Sequence, residues 1–365
     1  MWNQAAVYRR RRRTFAASVL LVLVLLIIII TSSSGGGGKL PPKSPTTSTV
    51  PPLGQSSAPL SYRAVSSLAE PVRASAATGV PGRQAFSLLG GLDAAGNGVS
   101  GIGEITANST VVVGYLPVSL FAAAAVTLGH DEYIFGGATG TASAPKPEEG
   151  ILLYDVLSSN ATVTEIAHLP SDNYGLGAAV IGSTVYLIGG DNGTTTLDTI
   201  VSWRPGARAT VTATLPVALR YAAVAAVDGR IVIAGGLLSN NTASKQVFVY
   251  DPATRQVSAL HAQLPTGIFA ASGASLGQLA YVIGGATPPA RSGANPTPVS
   301  TIYSVDPISG QLAQAGTLAN GARGEAAVAK VGSSIYLAGG LTGTTTTNAV
   351  GTLTTPVTKT KTKTG

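Results

Sequence analysis

The chain has 365 residues, with 45 glycines and only 11% charged residues. That is enough for one large or two ordinary domains of short packed strands, and it excludes a charge-rich disordered polymer. There is no cysteine, so disulfides, thiolate metal sites and cysteine nucleophiles are excluded. The net charge of +7 belongs to the two ends: Arg9 to Arg13, Lys39, Lys43, Lys359, Lys361 and Lys363 are ten of the 23 basic residues. Thirteen remain against all sixteen acids, so the body carries −3. A basic face for nucleic acid is therefore not expected.

In chain order, the basic residues 1–13 come first. An uninterrupted apolar run, Phe15 to Ile30, follows. At 1.5 Å per residue it spans roughly 24 Å, and the flanking Thr and Ser residues extend it towards a ~30 Å hydrocarbon core. Five arginines on its N-terminal side predict a cytoplasmic N-terminus, an uncleaved transmembrane signal anchor over 14–31 and a body outside the plasma membrane. A cleaved signal peptide would need a small-residue cleavage site, and none follows. Arg12-Arg13-Thr14-Phe15 also fits a twin-arginine export core, the alternative route to the same side. Residues 32–59 are rich in Ser, Gly and Pro and read as a disordered linker, and residues 356–365 as a disordered Thr/Lys tail.

Between them, glycine pairs close six apolar runs: Gly90-Gly91, Gly136-Gly137, Gly189-Gly190, Gly235-Gly236, Gly284-Gly285 and Gly339-Gly340. The period is about 50 residues, which marks a repeat architecture. Each unit has a Leu-Pro or a variant, a small-residue strand such as AAVAAV, a tight turn, clearest at Asp228-Gly229, and a β-branched strand ending in the glycines. A third and a short fourth strand follow. Four strands per unit predict an all-β, six-bladed propeller over residues 60–355. The last unit lacks a fourth strand, and SYRAVSSLAEP before the first unit reads like one, so the N-terminal segment is expected to close the ring.

The glycine-pair ends and the third-strand Tyr-Asp motif (Tyr154-Asp155 and Tyr250-Asp251-Pro252, varied to Trp203-Arg204-Pro205 and Val305-Asp306-Pro307) resemble the kelch repeat family. The resemblance covers nearly the whole body and implies a kelch-type propeller. The tryptophan that kelch repeats carry on the fourth strand is absent.

Counting five residues on from each Leu-Pro position or its weaker counterpart gives Arg73, Phe121, Tyr174, Arg220, Phe269 and Arg323. In a closed ring these are expected to converge at the mouth of the central channel, with Glu325 beside Arg323. Three arginines and three aromatics suit an anionic or sugar ligand, through bidentate hydrogen bonds and ring stacking. The same residues also serve as blade-packing arginines and channel filler in the plainer reading.

The resulting expectation is a membrane-anchored, monomeric propeller that binds a protein or glycan at the cell surface, without cofactor, metal or nucleic acid. The alternative is an exported enzyme acting on a sugar acid, as in the sialic-acid mutarotases of the kelch group. There Glu325 would act as acid or base and Arg323 would hold a carboxylate. The copper oxidases similar to galactose oxidase need a Tyr–Cys crosslink, which this chain cannot form.

Overall fold

The computed structural model describes residues 54–356 apart from residues 157, 159–161, 290, 292–294 and 320. The expected signal anchor, most of the linker and the tail beyond Pro356 lie outside the described residues. Among the described residues no helix is long and apolar enough to cross a membrane.

Six four-stranded antiparallel sheets make six blades. The first comprises Ala76–Gly79, Phe86–Leu92, Gly98–Ile105 and Thr110–Tyr115. The second comprises Ala124–Leu128, Asp131–Phe135, Gly150–Tyr154 and Val163–His168. The third comprises Gly177–Ile181, Thr184–Ile188, Thr199–Trp203 and Thr210–Thr214. The fourth comprises Ala223–Val227, Arg230–Ala234, Val247–Asp251 and Gln256–Ala259. The fifth comprises Ser272–Leu276, Leu279–Ile283, Thr301–Val305 and Leu312–Thr317. The sixth takes Ala327–Val331, Ser334–Ala338 and Ala349–Thr354 from the C-terminal end and Ser61–Ser67 from the N-terminal end. This last strand pairs antiparallel with Ala349–Thr354 from Ser61↔Thr354 to Ser67↔Ala349, as the N-terminal phrase led us to expect.

The core is not central. It is divided into six apolar layers, one per blade interface. Each second strand is buried on both faces, which is why these strands read as near-continuous apolar runs with no polar alternation. The first strands carry Ala and Gly because six of them crowd round one axis. The turn joining the first two strands is tight. In the fourth blade Val227 pairs with Arg230, with Asp228 at φ 50° and Gly229 at φ 72° between them, the left-handed geometry that Asp-Gly serves in a two-residue hairpin.

The glycine pairs hold the blades to one another. Gly190 N–H donates to the Leu219 carbonyl of the next blade at 2.8 Å. Its partner Gly189 has φ 59°, and a Cβ there would lie 2.1 Å from that same oxygen. Only glycine lets the two backbones meet in this way. The same bond recurs at every interface: Gly91 to Leu120, Gly137 to Asn173, Gly236 to Ile268, Gly285 to Arg323 and Gly340 to Val72, all at 2.7–2.9 Å.

Gly54 to Pro59, expected in the linker, instead lie along the fifth blade. Gln55 bridges Gln314 in parallel. Ser56 N–H donates to Gln314 O at 2.8 Å, and Gln314 N–H to Gly54 O at 2.9 Å. Leu60 is buried in the layer between the fifth and sixth blades. The N-terminal segment thus runs along the outer edge of one blade before supplying the outermost strand of the next.

One acid, Glu132, is fully buried within this frame. Glu132, 0% exposed, sits at the interface of the first two blades, where Ser87 Oγ donates to its Oε1 at 2.9 Å and its Oε2 has no partner. Burial pushes its carboxyl up to about 8, against the lowering effect of Ser87 and with a smaller upward push from Glu104.

Two outcomes follow. Deleting residues 61–67 should abolish the cooperative thermal transition, because the sixth blade then has an open edge and the ring no longer closes; a cooperative melt of that variant would contradict the closure. The second concerns Glu132, whose folded-state value lies above its ordinary 4.5. Between those values the folded chain keeps a proton that the unfolded chain releases. Its contribution to stability is therefore present at low pH and is lost as pH rises towards about 8, at up to about 1.4 kcal/mol per pH unit. Glu132→Gln should flatten that part of the stability–pH curve, measured by denaturant melts at pH 5 to 8; parallel curves for the two proteins would refute it.

Candidate functional site

Between the fourth strand of one blade and the first strand of the next, three consecutive residues divide three tasks. In the segment Leu219-Arg220-Tyr221 the first residue is buried and its carbonyl accepts the glycine N–H of the previous blade. The second forms a two-way backbone bridge with the residue after its own glycine pair, Arg220 with Leu237. The third turns towards the axis. The corresponding bridging residues are Arg73, Phe121, Tyr174, Phe269 and, in the sixth blade, Gly324.

The axial residues are Ala74, Ala122, Gly175, Tyr221, Ala270 and Glu325. All have left-handed backbone, with φ between 50° and 65°. Their backbones form a closed ring of six hydrogen bonds. Ala122 N–H donates to Ala74 O, Gly175 to Ala122, Tyr221 to Gly175, Ala270 to Tyr221, Glu325 to Ala270 and Ala74 to Glu325, at 2.7–3.0 Å. Five of the six are not glycine, so each of those five costs on the order of 1 kcal/mol or more, offset by the ring that holds them.

This register corrects the expected ring of six. Five of its members stand at the bridging position, but Arg323 does not. The connection from Leu318 carries one more residue than its counterparts, so the count of five falls one short and Gly324 takes the bridge. Arg323 is 3% exposed and points away from the channel. Its Nη2 donates to Tyr62 Oη at 3.3 Å, and its guanidinium carbon lies 5.7 Å from the Tyr62 ring centre. It is a packing arginine, as the plainer reading had it. Arg220 and Tyr174 stay on the rim outside the channel lining. Arg220 Nη1 donates to Asp191 Oδ2 at 2.8 Å and to Thr196 Oγ1 at 3.0 Å, and it also holds Asn241 Oδ1.

The residues that do line the mouth are Arg73, Phe121, Phe269 and Glu325, together with Tyr221, which lies one position past the residue named from sequence. Below them the alanines and glycines of the first strands leave a cavity of about 320 Å³. At its mouth Arg73 Nη1 and Glu325 Oε2 form an ion pair, with side chains 16% and 26% exposed. The two residues are 252 positions apart in sequence, and the closure of the ring brings them together. The Tyr221 ring lies over Gly175, where a Cβ would come within 2.8 Å of it. Tyr174 meets Tyr221 edge-on at 6.1 Å. Burial pushes the Tyr221 hydroxyl well above the ordinary tyrosine range, so it remains a neutral donor. Burial raises Tyr174 as well. Among the described residues no cluster of three His, Cys, Asp or Glu side chains could hold a metal ion.

Chemically the mouth offers a guanidinium with N–H groups beyond the one given to Glu325, a carboxylate acceptor, a phenol donor and two phenylalanines, set over apolar walls. The long loops open on this same face, since the residues after each glycine pair bridge the rim.

The comparisons with known proteins agree with this architecture. The kelch motif family matches residues 218–260. Two N-acetylneuraminate epimerases of Haemophilus influenzae, from strains PittEE and 86-028NP, are 32% identical to the chain over 138 residues, 36% of this chain and 36% of each relative. The chain thus matches about a third of the length of these relatives. The solved structure of YjhT superposes with a TM-score of 0.67 at 14% identity, over 78% of this chain and 95% of that one. At that identity the likeness is one of fold.

Proposed function

We propose that the central channel of this six-bladed, kelch-type β-propeller binds a sugar or sugar acid at the loop face. The Arg73–Glu325 pair at the mouth of an otherwise apolar, small-residue channel carries this reading. Arg73 would hold a ligand carboxylate with the guanidinium N–H groups not given to Glu325, and Glu325 would accept from ligand hydroxyls. Phe269, partly exposed, offers an apolar face to a sugar ring, and the buried Phe121 packs behind the mouth. A cavity of about 320 Å³ lies at the small end of the range for ligand pockets and suits one sugar unit. The name of the partial relatives, epimerases of N-acetylneuraminate, supports the same ligand class. The charge asymmetry around the apolar run 15–30 supports display of this channel outside the plasma membrane.

A second reading is catalytic, and Glu325 favours it. Its backbone is held at φ 53°, which sets the carboxylate at the mouth beside Arg73. In that position it can take the proton of an anomeric hydroxyl and pass it to the ring oxygen as the ring carbon–oxygen bond opens; when that new hydroxyl attacks the other face of the carbonyl, Glu325 takes its proton and returns it to the carbonyl oxygen. The net result is an exchange of anomers, with no cofactor required.

Calorimetric titration of a panel of sugars and sugar acids into the full chain tests both readings. Arg73→Ala and Glu325→Gln should each weaken binding about tenfold or more, whereas Arg220→Gln, on the rim, should spare it. Faster anomer exchange seen by NMR, lost in Glu325→Gln, would identify turnover. Binding that is indifferent to Arg73 would overturn the assignment of the channel.

A further inference from the structure

The opposite face, which carries the short turns, has its own recess between the third and fourth blades, of about 330 Å³. Arg204, Arg208 and Arg255 border it, and no acidic side chain does. Among the described residues none of the three makes an ion pair, whereas Arg73, Arg83 and Arg220 each have a carboxylate partner.

Arg204 stands where other blades place a turn cap. In four of the other blades the residue at the end of the third strand is an acceptor that takes backbone N–H groups of the following turn. Thr106 Oγ1 accepts from Ser109 at 3.0 Å, Asp155 Oδ1 from Ser158 at 3.0 Å, Asp251 Oδ1 from Ala253 at 2.9 Å and Asp306 Oδ1 from Ile308 at 2.8 Å. Arginine has only donors and cannot cap. Arg204 instead donates from Nε to Thr184 Oγ1 at 2.7 Å. That bond holds the guanidinium at the recess and leaves its Nη groups without a partner among the described residues. An acidic corner has thus become a cationic one, and Arg208 follows four residues later in the same turn. Arg255 adds a third cation from the neighbouring blade.

The floor of the recess is polar too. Tyr250 borders it, 0% exposed, and its hydroxyl has no hydrogen-bond partner. Ser202 and Thr184 add further hydroxyls. Converging guanidinium forks with hydroxyl donors and no competing carboxylate form the donor set that tetrahedral oxyanions demand.

We propose that this recess binds a phosphate or sulfate group, either free or at the end of an ester. The site lies on the face opposite the channel mouth and is independent of the channel's ligand. Its arginines come from two blades, so an anion held there would also tie the third blade to the fourth.

Titrating inorganic phosphate into the full chain at low ionic strength, against a chloride-matched control, tests the site. Saturable binding and a raised melting temperature are expected. The double variant R208A/R255A removes two exposed side chains, so its unliganded melting temperature should match that of the parent. Its phosphate affinity should fall by about tenfold or more for each arginine removed. Tyr250→Phe, which removes only the hydroxyl, should weaken binding severalfold. Vesicles of phosphatidylcholine with and without phosphatidic acid distinguish the sources. Arginine-dependent vesicle binding without free-phosphate binding assigns the anion to a lipid headgroup, and free-phosphate binding alone assigns it to a soluble ligand. Equal binding by the parent and R208A/R255A, or no saturable binding to either probe, overturns the proposal.

Discussion

The hydrogen bond from the second glycine of each pair to a carbonyl in the next blade is the contact on which the molecule depends. It occurs at all six interfaces with nearly the same length. It joins backbone to backbone, so it tolerates wide variation in the surrounding side chains. Leu120, Asn173, Leu219, Ile268, Arg323 and Val72 supply its acceptors, and their chemistry hardly matters. The requirement falls on the donor side, where a Cβ on the first glycine would meet the accepting oxygen. That is why the glycines recur while the Tyr-Asp motif decays.

This contact also places everything above it. Once the carbonyl of one residue is locked to the neighbouring blade, the next residue must bridge the rim and the one after it must turn inward. Six inward residues then close a second ring of backbone hydrogen bonds round the axis. Small residues occupy most of that ring and the strands beneath it, so the few large or charged ones, Tyr221 and Glu325, stand out against an alanine-lined channel. The ion pair of Glu325 with Arg73 crosses the seam between the sixth blade and the first, so the candidate site depends on ring closure as directly as the fold does.

Arginines on both faces of the propeller find carboxylate partners, but one turn-face cluster does not. Arg73 and Arg220 on the loop face are paired with Glu325 and Asp191, and Arg83 on the turn face with Glu104. On the turn face Arg204, Arg208 and Arg255 have no acid beside them. The body is slightly acidic as a whole, so a local excess of cations stands out against the rest of the surface.

The blade count, the glycine lock and closure by the N-terminal strand were legible in the sequence. Strand period, glycine at a position that admits no Cβ, and an unpaired blade edge are all local or additive requirements that leave their mark on consecutive residues. The candidate site was half legible: Arg73, Phe121, Phe269 and Glu325 reach the channel mouth, while Arg323, Arg220 and Tyr174 do not. One extra residue after Leu318 moves Arg323 from the rim into the blade interface, and no nearby residue announces that shift. Tyr221 was passed over because it stands next to the position that was counted. Which of three neighbouring residues faces the axis, and which acid meets which arginine across 252 positions, was decided only by the tertiary structure, because both depend on how far-separated blades dock against one another.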